Sequence, residues 1–246
     1  MPWRVNRTPY RVFVSEIMLQ QTSVARVMPR YSAFLRCFPS FRQLAAASVQ
    51  DVMSEWKGLG YNRRALALRE SARQIISEFR GKLPRTVDEL TRLPGVGHAT
   101  ASAVIVYAFN IPLVFIETNI RRVFLHFYFP DQEKVQDALL APLVEKTLDR
   151  RNPREWYYAL MDYGAALPAG RQNPNRRSSR YRVQSRFEGS LRQLRGRILS
   201  FIMEKKSVTH RQIEADTGAD PRLTQALEQL EKEGFLRASA GRYSFK

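Results

Sequence analysis

The sequence predicts an all-α domain over residues 1–170, an arginine-rich linker over 171–189, and a small domain of helices and one β-hairpin over 190–246. Three observations predict it. Apolar residues recur at three- and four-residue spacing, alternating strand-like runs are nearly absent before the last hairpin, and the linker breaks both patterns. In order, the helical period runs through Tyr10–Leu19, Val24–Phe38, Ala65–Phe79, Ala99–Phe109, Ile120–Phe127 and Val135–Leu148. The short VFIET run, Val114–Thr118, reads as a strand, and Asn110-Ile111-Pro112 before it stops a helix. The stretch QNPNRRSSRYRVQS has Asn, Pro, Ser and Arg with no helical period, so it reads as extended linker. Leu191–Met203 then reads as an amphipathic helix, and Thr209–Asp216 as a short one that Thr209 can cap. Asp220–Glu233 is a third, with Asp220 as cap and Pro221 at the first helical position. FLRASAGRYSF places two short strands around Ser239-Ala240-Gly241. Three helices followed by a hairpin is the order of a winged helix-turn-helix, with Pro221–Lys232 as recognition helix.

Composition narrows the function. Of 246 residues, 44% are hydrophobic and 26% charged, too apolar for general disorder. No apolar run approaches the ~18–20 residues of a membrane span, and no signal-peptide pattern opens the chain. A cytoplasmic, nucleoid-associated monomer with no membrane partner is expected. The single cysteine, Cys37, excludes an internal disulfide, a cysteine-based zinc site and a four-cysteine iron–sulfur cluster. No required cofactor is expected. Lys and Arg total 40 against 23 Asp and Glu, a net charge of +17, which points to an anionic partner with nucleic acid as the default. The excess is concentrated in residues 1–50 and in Arg171–Arg197, where nine arginines face one acid, Glu188. Arginine interleaved with Tyr181 and Phe187 suits a strap that tracks phosphates through Arg176, Arg177 and Arg180; a solvated hinge is the alternative.

The most specific short pattern is LPGVGHATA, Leu93–Ala101. Helices at Val87–Leu93 and His98–Phe109 are joined by a hairpin of Pro94, Gly95, Val96 and Gly97. Gly95 and Gly97 let backbone amides approach a phosphate, and the second helix points its positive end at that phosphate from His98. This reads as a sequence-independent grip on the DNA backbone.

LPGVG followed by an acid at Glu117 resembles the helix-hairpin-helix (HhH-GPD) DNA glycosylase superfamily. PWRVNRTPYRVFVSEIMLQQT, Pro2–Thr22, and GLGYNRRA, Gly58–Ala65, resemble its adenine DNA glycosylase branch. The resemblance covers roughly residues 2–170, and the winged-helix tail lies outside it. It implies a two-lobed fold, with a six-helix module over about 18–125, a second lobe from 1–17 plus 126–170, and a base pocket between them. It implies that Glu16 is the general acid that protonates the purine, that Glu117 stands where the family has Asp, and that Asn119 holds the catalytic network. It places Trp3, Arg4, Leu19, Gln21 and Asp162 around the extruded base, and Gln20 as the residue that intercalates. Tyr61 and Asn62 fall where the branch usually has a tyrosine pair, the second beside 8-oxoguanine. Carbonyls of Thr91, Leu93 and Val96 would hold a monovalent cation, K+ or Na+, at the hairpin.

This chain departs from the pattern in several places. The cluster cysteines are missing, Ala99 stands where bifunctional lyases have a lysine, and no oxoguanine-reading domain follows. The chemistry needs one carboxyl that keeps its proton and another that stays ionised beside a cationic sugar. Glu16 in an apolar helix should have a raised pKa. Glu117 alone reads equally as a helix-start carboxylate. The expected function is a monofunctional DNA glycosylase of base excision repair. It would hydrolyse the N-glycosidic bond of a flipped mispaired base in double-stranded DNA, adenine opposite G or 8-oxoguanine. The alternatives are a T/U:G mismatch glycosylase and a non-catalytic DNA-binding winged-helix protein.

Overall fold

A computed structural model describes residues 1–169 and 172–246; Arg171, the first arginine of the expected strap, lies outside the described residues. In chain order the helices are α1 (Pro2–Val5), α2 (Pro9–Leu19), α3 (Val24–Cys37), α4 (Phe41–Ala46), α5 (Val49–Trp56), α6 (Arg63–Glu78), α7 (Val87–Thr91), α8 (His98–Phe109), α9 (Thr118–Tyr128), α10 (Asp137–Thr147) and α11 (Pro153–Ala166). The tail adds α12 (Leu191–Lys205), β1 (Ser207–Thr209), α13 (His210–Thr217), α14 (Leu223–Lys232), β2 (Leu236–Ser239) and β3 (Arg242–Phe245). Local chemistry sets many of these boundaries. Ser40, Ser48, Thr86 and Ser190 each accept a first-turn N–H, Pro153 opens α11, and Asn110 ends α8 in the left-handed conformation at φ 57°.

The chain forms two compact units. One comprises residues 3–17 and 83–183, the other 18–82 and 184–246. The first is built on a core of Val12, Val106, Tyr107, Phe115, Ile120, Phe124, Val144 and Tyr157, with α9 packed on α11 and α10. VFIET is not a strand. Tyr157 takes the place of a strand partner: its hydroxyl donates to the Leu113 carbonyl at 2.8 Å and accepts the Phe115 N–H at 3.2 Å. One side chain thus satisfies the backbone groups that a neighbouring strand would otherwise pair.

The arginine-rich segment is also not a free extended strap. Pro174–Arg177 forms a 3-10 turn capped by the Asn173 side chain, and Pro174, Asn175 and Ser178 are buried. Val135 N–H donates to the Arg177 carbonyl at 2.8 Å, and Ser179 N–H donates to the Val135 carbonyl at 2.9 Å. The Asn175 amide donates to the Thr118 carbonyl at 3.1 Å, fastening the turn to the start of α9. A turn of four residues is too short to leave a period in the sequence.

In the second unit α3 to α6 bury Val27, Tyr31, Phe34, Leu44, Trp56, Leu68 and Ile75. The tail has winged-helix order, and its sheet runs β1-β3-β2 with both pairs antiparallel. Ala240 and Gly241 turn the β2–β3 hairpin at φ 48° and 71°, the two successive positive values that a tight primed turn requires. Thr209 caps α13 in a reciprocal capping box with Gln212. α14 starts two residues later than expected. Asp220 accepts the Arg222 N–H and pairs with its guanidinium, so it closes a turn ahead of the helix rather than capping it. At the other end of α14, Glu233 pairs with Arg195 at 2.5 Å and with Arg63 at the start of α6. Burial alone would raise this carboxyl, but the two arginines outweigh it and hold it at about 2. The exposed face of α14 presents Thr224, Gln225, Glu228, Glu231 and Lys232, two acids against one base and a poor surface for tracking phosphate.

Candidate active site

Helix α2 buries Val12, Phe13, Val14 and Ile17 and turns Glu16 into the polar centre of the first unit. Glu16 keeps part of its surface open, yet protein surrounds its carboxyl closely. Burial, reinforced by the charge of Glu117 and opposed by Arg4, pushes it up to about 8. A carboxyl that is protonated at neutral pH and still reachable can donate a proton.

Glu117 is the N-cap of α9. One oxygen accepts the Asn119 N–H at 2.6 Å and the Ile120 N–H at 2.9 Å. The longer side chain is thus folded back onto the helix amides, which accommodates its extra methylene relative to Asp. Burial raises this carboxyl, while the helix amides and Arg121 pull the other way. Asn119 is held by close packing: a Cβ built on Gly164 of α11 would lie 2.3 Å from the Asn119 carbonyl oxygen. Only glycine lets α11 approach α9 this closely.

Arg4 and Asp162, 158 residues apart in sequence, form a two-pronged pair at 2.7 and 2.8 Å. The Arg4 guanidinium lies 4.3 Å from the centre of the Tyr158 ring, and Trp3 beside it is 4% exposed. The first unit therefore brings together Glu16, Glu117, Arg4 and Asp162. Leu19, Gln20 and Gln21 follow Glu16 by a few residues but belong to the second unit, with Gln21 at φ 52°. Arg64 organises this loop from beneath. It donates to the Met18 carbonyl at 2.7 Å, the Thr22 hydroxyl at 2.8 Å and the Gly60 carbonyl at 3.1 Å. Burial lowers it to about 10, so it remains cationic at neutral pH. Tyr61 is exposed in the left-handed conformation at φ 47°, its hydroxyl accepting from the Gln184 amide, and Asn62 follows at the start of α6.

The hairpin between α7 and α8 buries Leu93 and Val96 and exposes Gly95, Gly97 and His98, with Gly95 at φ 75° and Pro94 half-buried. Open space lies beside Gly97, which caps α8 without a side chain, so the helix amides are accessible to an anion. The Leu93 carbonyl accepts the Val96 N–H at 3.2 Å, and Thr91 is exposed. A carbonyl has a second lone pair, so this bond leaves Leu93 able to ligate a weakly held cation. Among the described residues no group of three or more His, Cys, Asp or Glu is placed to hold a metal. A four-cysteine cluster does not fit this chain, whose one cysteine, Cys37, is exposed on α3. Of the strap arginines, Arg176 is exposed, Arg180 pairs with Asp137 at 3.2 Å, and Arg177 donates to the Leu125 carbonyl at 3.0 Å. Arg177 is thus spent on protein.

Sequence reasoning missed Arg64, Tyr107, Tyr158 and Gly164. Arg64 sits inside the quoted GLGYNRRA motif, but its apolar surroundings do not show in a charged stretch. Gly164 lies in the last turn of α11, where glycine is common, so its packing role leaves no signal in the sequence.

A carboxyl raised to about 8, a helix-capping carboxyl and an amide-lined hairpin on one helical scaffold define a protein class. The family model for the HhH-GPD superfamily of base excision DNA repair proteins matches residues 14–146, and the chain belongs to that superfamily. Its relatives are adenine DNA glycosylases. That of Mycolicibacterium smegmatis is 33% identical over 272 aligned positions, covering 99% of this chain and 90% of the relative. That of Buchnera aphidicola subsp. Baizongia pistaciae is 32% identical over 171, covering 68% of this chain. The chain spans about half the length of the Buchnera relatives, at 48–49%. Among solved structures, a thermostable thymine-DNA glycosylase superposes with a TM-score of 0.63 at 29% identity, covering 71% of this chain and 82% of that one.

Proposed function

We propose that this protein is a monofunctional DNA glycosylase that releases adenine mispaired with G or 8-oxoguanine. The observation behind this reading is the contrast between two neighbouring carboxyls that burial raises: Glu16 reaches about 8 with no amide bond from the described residues to favour its charged form, whereas the α9 amides and Arg121 favour the charged form of Glu117. The target base must first leave the stack, at a cost of about a few kcal/mol that mispairing reduces. Hairpin amides from Gly95 to His98 and the exposed Arg176 hold the backbone meanwhile, and a K+ or Na+ ion on the carbonyls of Thr91, Leu93 and Val96 would stiffen the hairpin. The family resemblance assigns Trp3, Arg4, Leu19, Gln21 and Asp162 to the extruded base, Gln20 to intercalation, and Tyr61 with Asn62 to the opposite base. Glu16 then gives its proton to a ring nitrogen as the bond to the sugar carbon breaks, and the base departs neutral. The Glu117 carboxylate stabilises the cationic sugar. Water adds to that carbon and returns a proton to Glu16, leaving an intact abasic site. Ala99 offers no amine for a covalent sugar intermediate.

Adenine is favoured over other bases by the adenine glycosylases among the relatives, one of which spans nearly the whole chain. A thymine-releasing reading draws on the similarity to the thymine-DNA glycosylase. Single-turnover base release on A:G, A:8-oxoG, T:G and U:G duplexes separates the two. The adenine duplexes should be cleaved at least roughly tenfold faster, a margin of about 1.4 kcal/mol in barrier. Preferential release of T or U would replace adenine as the substrate. Release from none of the four duplexes would reject the glycosylase reading.

A further inference from the structure

The Tyr107 hydroxyl is a polar group that the mechanism above does not use. Tyr107 lies on α8, 4% exposed, and its oxygen is fully buried without a hydrogen bond to protein. Its ring stacks on Tyr158 at 4.8 Å and 7°, and meets Phe115 edge-on at 6.1 Å. Phenylalanine would keep both contacts and avoid burying an unpaired donor, so packing does not account for the oxygen. Its surroundings do. The charged and titratable groups that face it are Glu16 from α2, Glu117 from the cap of α9, Tyr158 from α11 and Arg4 from α1. The Arg4 Nε is likewise buried without a hydrogen bond, and the Arg4 charge also acts on Glu16.

We infer that Tyr107 is a positioning residue for Glu16, its hydroxyl donating to the Glu16 carboxylate once that group has given its proton to the departing base. This rests on the glycosylase reading. Protonated Glu16 is a weaker acceptor than its carboxylate, and in the free protein Tyr107 makes no bond to it. When the proton leaves for the base, a carboxylate forms beside Glu117, and the repulsion between the two opposes the transfer. A phenol O–H that swings to donate to Glu16 offsets that repulsion and orients the carboxylate to accept a proton from the attacking water. Burial and the two carboxylates raise the Tyr107 hydroxyl well above its ordinary value, so it stays a donor across the working range. No bond to Tyr107 forms or breaks covalently, and its proton is not consumed.

The test is Tyr107→Phe in the full chain, read three ways. Single-turnover adenine release should fall at least tenfold with duplex affinity within twofold of wild type. The alkaline limb of the rate profile should move to higher pH by half a unit or more, because the Glu16 carboxylate has lost its donor. Carbon-13 carboxyl resonances of Glu16 in the free protein should show the same upward displacement, a readout that needs no turnover. A variant that cleaves within threefold of wild type with an unmoved limb and an unmoved Glu16 titration would overturn the inference. If the wild type cleaves no duplex while Tyr107→Phe still displaces the Glu16 titration, the positioning contact stands and the glycosylase reading is what fails.

Discussion

Glu16→Gln is expected to lose at least about a hundredfold in single-turnover base release while keeping its affinity for the duplex, since it removes the proton donor and little volume. The same substitution should make the protein more stable at alkaline pH. In the unfolded chain a glutamate ionises near ~4.3, whereas in the fold Glu16 keeps its proton up to about 8. Below the lower value both states are protonated, and the contribution of the neutral acid to stability is fully present. As pH rises the unfolded state ionises first, and stability is lost until pH passes about 8, where the folded state ionises too. Glutamine does not titrate. Urea denaturation should therefore show a gain for Glu16→Gln on the order of 5 kcal/mol at pH ~8.5 and almost none at pH ~4. Equal stabilities at both values would mean that Glu16 is an ordinary carboxylate, ionised at neutral pH.

Gly164→Ala should be nearly as damaging to activity, although residue 164 has no chemistry of its own. The new methyl would stand 2.3 Å from the Asn119 carbonyl oxygen and 2.8 Å from its carbonyl carbon. Those are backbone atoms at the start of α9, and they cannot swing aside as a long side chain would. The helices must separate instead, which typically costs about 1–3 kcal/mol. The better helix propensity of alanine offsets up to ~1 kcal/mol of that. Moving the first turn of α9 carries Glu117 with it, and a misplacement of about 1 Å can cost roughly a hundredfold in rate. The expected outcome is a folded protein of modestly lower Tm with base release reduced by about that factor. Activity within twofold of wild type would show that the approach of α11 to α9 does not set the site.

The parts of this protein that could be read from sequence are those written in local periods or in a recognisable motif. α2, α3, α6, α8, α9 and α10 follow from the spacing of their apolar residues, and the tail from its Thr209 cap and its Ala240-Gly241 turn. VFIET looked like a strand because alternating β-branched and aromatic residues are what a strand needs. No such pattern reveals that Tyr157 supplies its hydrogen bonds from 42 residues away. The 173–180 segment was misread for a related reason. Its order comes from Val135, Thr118, Leu125 and Asp137, none of which is near in sequence. The motif pointed to Glu16 and Glu117, and the apolar sequence of α2 already implied a raised pKa. The fold-back of Glu117 onto the helix amides was one of two open readings, because a side chain's direction depends on where the neighbouring backbone lies. Tyr107 escaped notice because an aromatic on an apolar helix is ordinarily core, and only its unpaired oxygen shows otherwise.

The account depends above all on Glu16 entering the reaction with its proton in place. The most direct measurement is the single-turnover rate of adenine release by the wild-type protein from pH ~5 to ~10, on an A:8-oxoG duplex at saturating protein. The rate should hold level through neutral pH and fall tenfold per unit above an apparent pKa close to the Glu16 value of about 8, and this limb should be absent from the residual activity of Glu16→Gln. A rate that keeps rising through pH ~9, or a limb that survives in Glu16→Gln, would contradict the assignment of Glu16 as the proton donor.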